Sequence, residues 1–262
     1  MWNATKNKGE QGFLLVELAL ALVILGIILG PSLIAFRHYQ RFQQVQATKK
    51  NQETVFRSLA HYLSLHGCLP YPADPEKRGI SQGVASFERW KTNRYVGTVP
   101  YRTLGIEESS AKDGYHQWMT YAVDPSLTLR GNLDRSMICE MVFRKRSEIQ
   151  LQDGALSSLN TVLENGCKDK KYDGVAVVLI SHGPKKQGAF ATNGRLPLDE
   201  HAGLCKRKNC QDVLSFCLAP DPSDAGVNDD SVWWISRGQL IKEAGFSCSD
   251  YFFPHWTSPL KP

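Results

Sequence analysis

The stretch from Phe13 to Phe36 constrains this chain more than any other. It is a 24-residue apolar run in which only Glu17 carries a charge. A helix rises about 1.5 Å per residue, so the run would reach roughly 36 Å. That is enough to cross a hydrocarbon core of about 30 Å with some tilt. The carboxylate is the anomaly, because a charge on a spanning helix costs up to roughly 3 kcal/mol near the midplane and less near an end. A plain anchor would carry an aliphatic residue there. A secretory signal is excluded by length, since its apolar region runs to only about 15 residues and ends at a small-residue cleavage site. Arg37-His38-Tyr39-Gln40 offers no such site.

Gly12 immediately precedes this run and Phe13 opens it, Glu17 follows Phe13 by four residues, and Lys6 and Lys8 form a short basic leader. This arrangement resembles the N-terminal signal of type IV prepilins and the pseudopilins of type II secretion. The resemblance implies cleavage between Gly12 and Phe13 by a prepilin peptidase and N-methylation of Phe13. It also implies that Glu17 pairs with the terminal amine of a neighbouring subunit. Other pilin or pseudopilin subunits, the peptidase and a bacterial inner membrane are the implied partners. The implied topology is single-pass, with a cytoplasmic N-terminus and a periplasmic C-terminal domain. Charge counting does not fix that orientation, because Lys6 and Lys8 are matched by Arg37 and Arg41 on the other flank.

The expected organisation is a leader over 1–12, a membrane or filament-core half-helix over 13–36, an amphipathic half-helix over 37–66 and a globular domain over 67–262. Phe42, Val45, Phe56, Leu59 and Leu63 keep helical spacing, and Gly67 with Pro70 supplies the stop. Pro31 lies inside this helix and predicts a kink or local melting. From Gly67 to Val99 prolines and glycines predict a loop, with a short helix near 85–91 and a tight turn into a short element over 98–106.

Strands are expected at 118–123, 137–143, 175–181 and 231–236, and helices at 155–163 and 237–244. Val175–Ser181 is an uninterrupted apolar run closed by Gly183-Pro184, so it should be the central strand. Strands and helices do not alternate regularly, which argues for an α+β fold with a mainly antiparallel sheet. The amphipathic half of the long helix would cover that sheet, as the pilin resemblance also implies.

Seven cysteines all follow the apolar run: Cys68, Cys139, Cys167, Cys205, Cys210, Cys217 and Cys248. In an oxidising compartment they predict up to three disulfides and one remaining thiol. Cys205, Cys210 and Cys217 are near enough in sequence for one local bridge.

No catalytic constellation stands out, and an assembly protein is expected instead of an enzyme. Ser181-His182 would be a nucleophile and base, but neighbours on an extended strand point to opposite faces. His201, Cys205, Cys210 and Cys217 are ligand types for zinc, yet their spacing matches no common zinc module and a disulfide is favoured. Asp221, Asp224 and Asp229 suggest a calcium loop, but aligned to the twelve-residue pattern the terminal acid position holds Val232. No cofactor is therefore expected, calcium being the weak alternative. Lys168, Lys170 and Lys171, then Lys185 and Lys186, then Lys206, Arg207 and Lys208 form basic clusters. Convergence of these would suit a phosphate backbone, as in a DNA-uptake pilin, but solvated loops are the plainer reading and nucleic acid is not expected. The alternatives to a filament subunit are thus a membrane-anchored periplasmic enzyme and a DNA-binding competence pilin.

Overall fold

The computed structural model describes residues 8–86, 95–128, 147–152, 174–191, 194–200, 204–211, 214–218 and 229–246. Side chains are described from Val16 onward, those of Gln152, Leu204, Cys205 and Lys208 excepted. The chain divides into two compact units, Met1–Gln46 and Ala47–Pro262.

The first unit is the start of helix α1 (Lys8–His66). Its apolar side chains are exposed on every side: Val16, Leu20, Ile24, Ile27 and Leu33 all keep at least half of their surface open. Among the described residues this is the one helix long and apolar enough to cross a membrane. The helix runs unbroken through Pro31, so the local melting that proline permits does not occur. Proline lacks the N–H that would bond Ile27. One residue on, the Ser32 hydroxyl donates to Ile28 O at 2.7 Å.

The second unit is built on a four-stranded sheet of order β1-β2-β4-β8, antiparallel throughout. Its strands are β1 (Val96–Thr98), β2 (Thr120–Val123), β4 (Val175–Ser181) and β8 (Ser231–Ser236). One face carries Tyr121, Val123, Val177, Leu179 and Ile235, and Val55, Leu59, Ala60 and Leu63 of α1 pack onto it. The other face carries Ala122, Val175, Val178 and Ile180 beneath Ile149, Leu151 and Phe216. Those last three belong to or adjoin a parallel pair, β3 (Gln150–Gln152) with β7 (Ser215–Cys217). Strand β4 is therefore buried on both faces, which is why it reads as a continuous apolar run and not an alternating one. Its face alternation slips once near Ala176, where pairing to β8 shifts register as a bulge does.

Helix α1 stops where expected. Gly67 has φ 69 and its N–H donates to Leu63 O at 2.9 Å, a left-handed glycine cap. The segment after it is less loop-like than its prolines suggest. Ala73 bridges both Ala85 and Thr98, Gly79–Ser81 is a 3-10 turn, and β1 begins at Val96. Ala85 and Ser86 are not helical, so the helix expected near 85–91 is absent from its first two residues, and 87–94 lie outside the described residues. The turn at 98–106 leads into helix α2 (Tyr101–Leu104). Among the described residues, the remaining strands and α-helices are the hairpin pair β5 (Phe190–Ala191) and β6 (Gly194–Arg195), helix α3 (Leu204–Asn209) and helix α4 (Arg237–Glu243). The strand expected at 137–143 and the helix at 155–163 lie outside the described residues. The architecture is α+β with a mainly antiparallel sheet.

Candidate functional site

Two regions concentrate unusual chemistry. The first is the opening of α1. Gly12 and Phe13 lie within the helical backbone, and Glu17 is exposed on it among apolar neighbours.

The second is a buried polar cluster at one end of β4. Lys206 projects from α3 with a fully buried side chain. Its ammonium donates to Asp229 Oδ1 at 2.9 Å, to Asp230 Oδ1 in a short contact, and to His182 O at 3.4 Å. Three donors thus meet three acceptors. Asn209, one turn along α3, donates from Nδ2 to Asp230 Oδ2 at 3.1 Å. It also exchanges hydrogen bonds with Cys217, accepting from its N–H at 2.9 Å and donating to its carbonyl at 3.3 Å. His182 follows β4 directly and is fully buried. Its Nε2 meets Thr120 Oγ1 at 2.9 Å, and its Nδ1 lies 3.3 Å from Asp230 Oδ1. That second approach is not aligned as a hydrogen bond, so Nδ1 makes none.

The charges in this cluster support one another. Burial by itself would raise the Asp230 carboxyl, but its close partners in the cluster outweigh it and hold the pKa below the ordinary carboxylate value. Burial would lower the Lys206 ammonium, but Asp230 and Asp229 outweigh it and hold the pKa above the ordinary lysine value. At Cys210, just beyond α3, the opposing pull of Lys206 and Arg195 falls short. Burial, with the Asp230 charge adding to it, pushes its thiol up to about 12. One donor atom from each of His182, Cys210 and Asp230 lies within 4.8 Å of the other two.

A second buried ion pair closes the opposite end of β4. Asp124, after β2, accepts from Arg237 Nη2 at 2.9 Å, and both side chains are buried. The same carboxylate accepts from Ser126 N, Ser126 Oγ, Ser147 Oγ and Glu148 N. Ser147 Oγ also donates to Val175 O at 2.6 Å. The clamp ties the end of β2 to the start of β4 and to the first turn of α4, which Ser236 caps by accepting from Gln239 N.

Some sequence expectations hold here and others are corrected. As strand neighbours should, Ser181 and His182 face apart and form no dyad: Ser181 Oγ donates to Asp113 Oδ2 at 2.7 Å, while His182 faces Thr120 and Asp230. Cys68 and Cys210 are thiols, not disulfide halves. Five cysteines then remain, so at most two disulfides can form and not three. Cys217 is disulfide-bonded, so it cannot complete a zinc set with His201, Cys205 and Cys210. Its partner is one of Cys139, Cys167, Cys205 and Cys248, whose side chains lie outside the described residues, as does His201. Lys206 is not a solvated cation but the centre of the buried cluster; Lys185, Lys186 and Arg207 are exposed. Lys168, Lys170, Lys171 and the Lys208 side chain lie outside the described residues. Of the calcium candidates, Asp229 is taken by Lys206 Nζ and by Lys185 N at 2.8 Å, and Asp221 and Asp224 lie outside the described residues.

Sequence reasoning missed both buried clusters. Their partners are far apart along the chain, and no local spacing marks them. The nearest signal was composition, two adjacent acids at Asp229 and Asp230 directly ahead of an apolar strand. No protein-family model matches the chain, and no match is found among curated proteins or solved structures.

Proposed function

We propose that the chain is a pilin-like subunit, of the minor pilin or pseudopilin kind, that works by assembly into a type IV pilus or type II secretion filament. The observation that carries this reading is Gly12-Phe13 with Glu17, set at the head of a helix whose apolar side chains are exposed all round. Such a surface is tolerated only inside lipid or against other apolar surfaces. In this reading the apolar half of α1 is stored in the inner membrane with its N-terminus in the cytoplasm, and the second unit faces the periplasm. A prepilin peptidase removes residues 1–12, and the amine of Phe13 becomes methylated. The half-helix then passes from bilayer to filament core. There Glu17 would be strongly destabilising if it stayed unpaired, and a neighbour's terminal amine pairs with it. The carboxylate thereby checks subunit register.

The test is co-expression with a prepilin peptidase, followed by mass spectrometry of the N-terminus. An N-methylated Phe13 is expected from the natural sequence and an intact leader from Gly12→Ala. An uncut natural sequence beside a cut control prepilin would overturn the reading. Glu17→Leu should be cut yet fail to enter filaments.

A further inference from the structure

The buried cluster at the end of β4 brings three metal-ligating side chains together, one of them the carboxylate that also anchors its ion pairs. We propose that His182 Nδ1, Cys210 Sγ and the Asp230 carboxylate together hold a Zn2+ ion. This inference is independent of the filament reading, since zinc binding can be measured whether or not the leader is cut.

Geometry supplies the first argument. Bonds of about 2.0–2.3 Å set donors in a tetrahedral zinc site roughly 3.3–3.8 Å apart. Here the three donor atoms lie within 4.8 Å of one another, so side-chain movements of about 1 Å close the site. Nitrogen, sulfur and oxygen donors in one tetrahedron suit zinc, whereas calcium and magnesium want oxygen alone.

The second argument is His182. Its side chain is fully buried, and its Nδ1 faces Asp230 without a hydrogen bond. A buried ring nitrogen of this kind normally finds a partner. Thr120 Oγ1 stands 2.9 Å from Nε2. With the Nε2 proton given to that hydroxyl, Nδ1 presents its lone pair to the cluster, which is how the outer hydrogen bond of a metal-ligating histidine fixes its tautomer.

The third is Gly188. Its φ is +80, and a Cβ built there would overlap Cys210 Sγ and lie 3.6 Å from His182 Nδ1. Absence of a side chain keeps the space beside sulfur and imidazole open. Arg195 Nη1 donates to Gly188 O at 2.7 Å and holds this loop in place.

Charge balance agrees. Asp229 and Asp230 outnumber Lys206 by one negative charge while Cys210 is a thiol. On binding, the Sγ–H bond breaks, a Zn–S bond forms, and the proton leaves to solvent. Thiolate and two carboxylates then face Zn2+ and one ammonium, and the sum is neutral. Lys206 and Asn209 stay on Asp230 as orienting partners. Cys210 is only partly buried and gives the ion its way in, and water completes the tetrahedron.

The experiment uses the full chain purified in detergent under mild reductant that leaves its disulfides closed. It is dialysed against Zn2+ with a competing chelator, and in parallel against Co2+. One tightly held zinc per chain is expected. The cobalt form should show a thiolate-to-metal charge-transfer band and the d–d bands of a tetrahedral site. Cys210→Ser should lose the charge-transfer band and weaken zinc binding at least tenfold, with its far-ultraviolet circular dichroism unchanged. Because a cluster variant can fail to fold, the natural chain carries a second readout. Zinc should slow alkylation of Cys210 at least tenfold in peptide mapping and leave the buried Cys68 unaffected. Equal Cys210 alkylation with and without zinc, or a cobalt spectrum lacking the thiolate band, overturns the proposal.

Discussion

The two units invert each other. In the first, apolar side chains cover the outside of a helix and one carboxylate stands among them. In the second, apolar faces are turned inward and charges are buried with them: Lys206 with Asp229 and Asp230, and Arg237 with Asp124. The second unit pairs these buried charges from within its own chain. Among the described residues of the first unit, nothing covers its exposed aliphatic surface. One unit is a folded object, and the other is a surface awaiting a medium or a neighbour.

The largest effect should come from breaking the self-sufficiency of the second unit. Lys206→Met leaves two carboxylates buried without their cation, and loss of one partner of a buried pair costs about 3–5 kcal/mol. Urea denaturation of the detergent-solubilised chain, followed by Trp fluorescence, would measure it. A loss below about 1 kcal/mol would mean the cluster is hydrated and the contrast between the units is weaker than drawn.

The corresponding change in the first unit should leave that denaturation midpoint alone. Leu25→Lys puts a charge near the middle of the apolar run and should cost about 2.5–3.5 kcal/mol of membrane insertion. The fraction of chain recovered in membranes is the measurement, and an unchanged fraction would show that the helix does not depend on lipid.

The smallest effect sharpens the picture through pH. Burial raises the Asp124 carboxyl, but Ser126, Ser147 and Arg237 outweigh it and hold the folded-state pKa below the ordinary carboxylate value. Between the folded and unfolded pKa values the unfolded chain binds more protons, so stability rises with pH there. The contribution is complete above the unfolded carboxylate value near 4 and fades as pH falls through the lower folded value. Asp124→Asn should remove this dependence, so its cost is greatest at neutral pH and shrinks in strong acid. Denaturation midpoints of both proteins across this range should therefore converge as pH falls.

The elements legible in the sequence are those whose signal is local. Helix α1 was legible because one pattern persists over many turns and a left-handed glycine ends it. β4, β8 and α4 were legible because each is an apolar or capped run with turn residues beside it. β1 was not, since Val96-Gly97-Thr98 has no pattern of its own and becomes a strand only by pairing with β2. The parallel pair β3 and β7 was hidden for the same reason, its two partners being separated by more than sixty residues. The N-terminal motif was readable outright because its residues are adjacent. The cluster around Lys206 was misread as a solvated basic patch, because a lysine's sequence neighbours do not reveal which acids it will meet.

The order of strands in the sheet also sets an order of events during synthesis. β4 pairs on one side with β2, which precedes it, and on the other with β8, which emerges some fifty residues later. At the usual pace of about 5–20 residues per second, β4 waits seconds with its second edge open. An open edge beside an uninterrupted apolar run is a template for pairing with another chain. A ribosome that stalls, or a chain cut, between Ser181 and Ser231 would therefore release a product prone to aggregate.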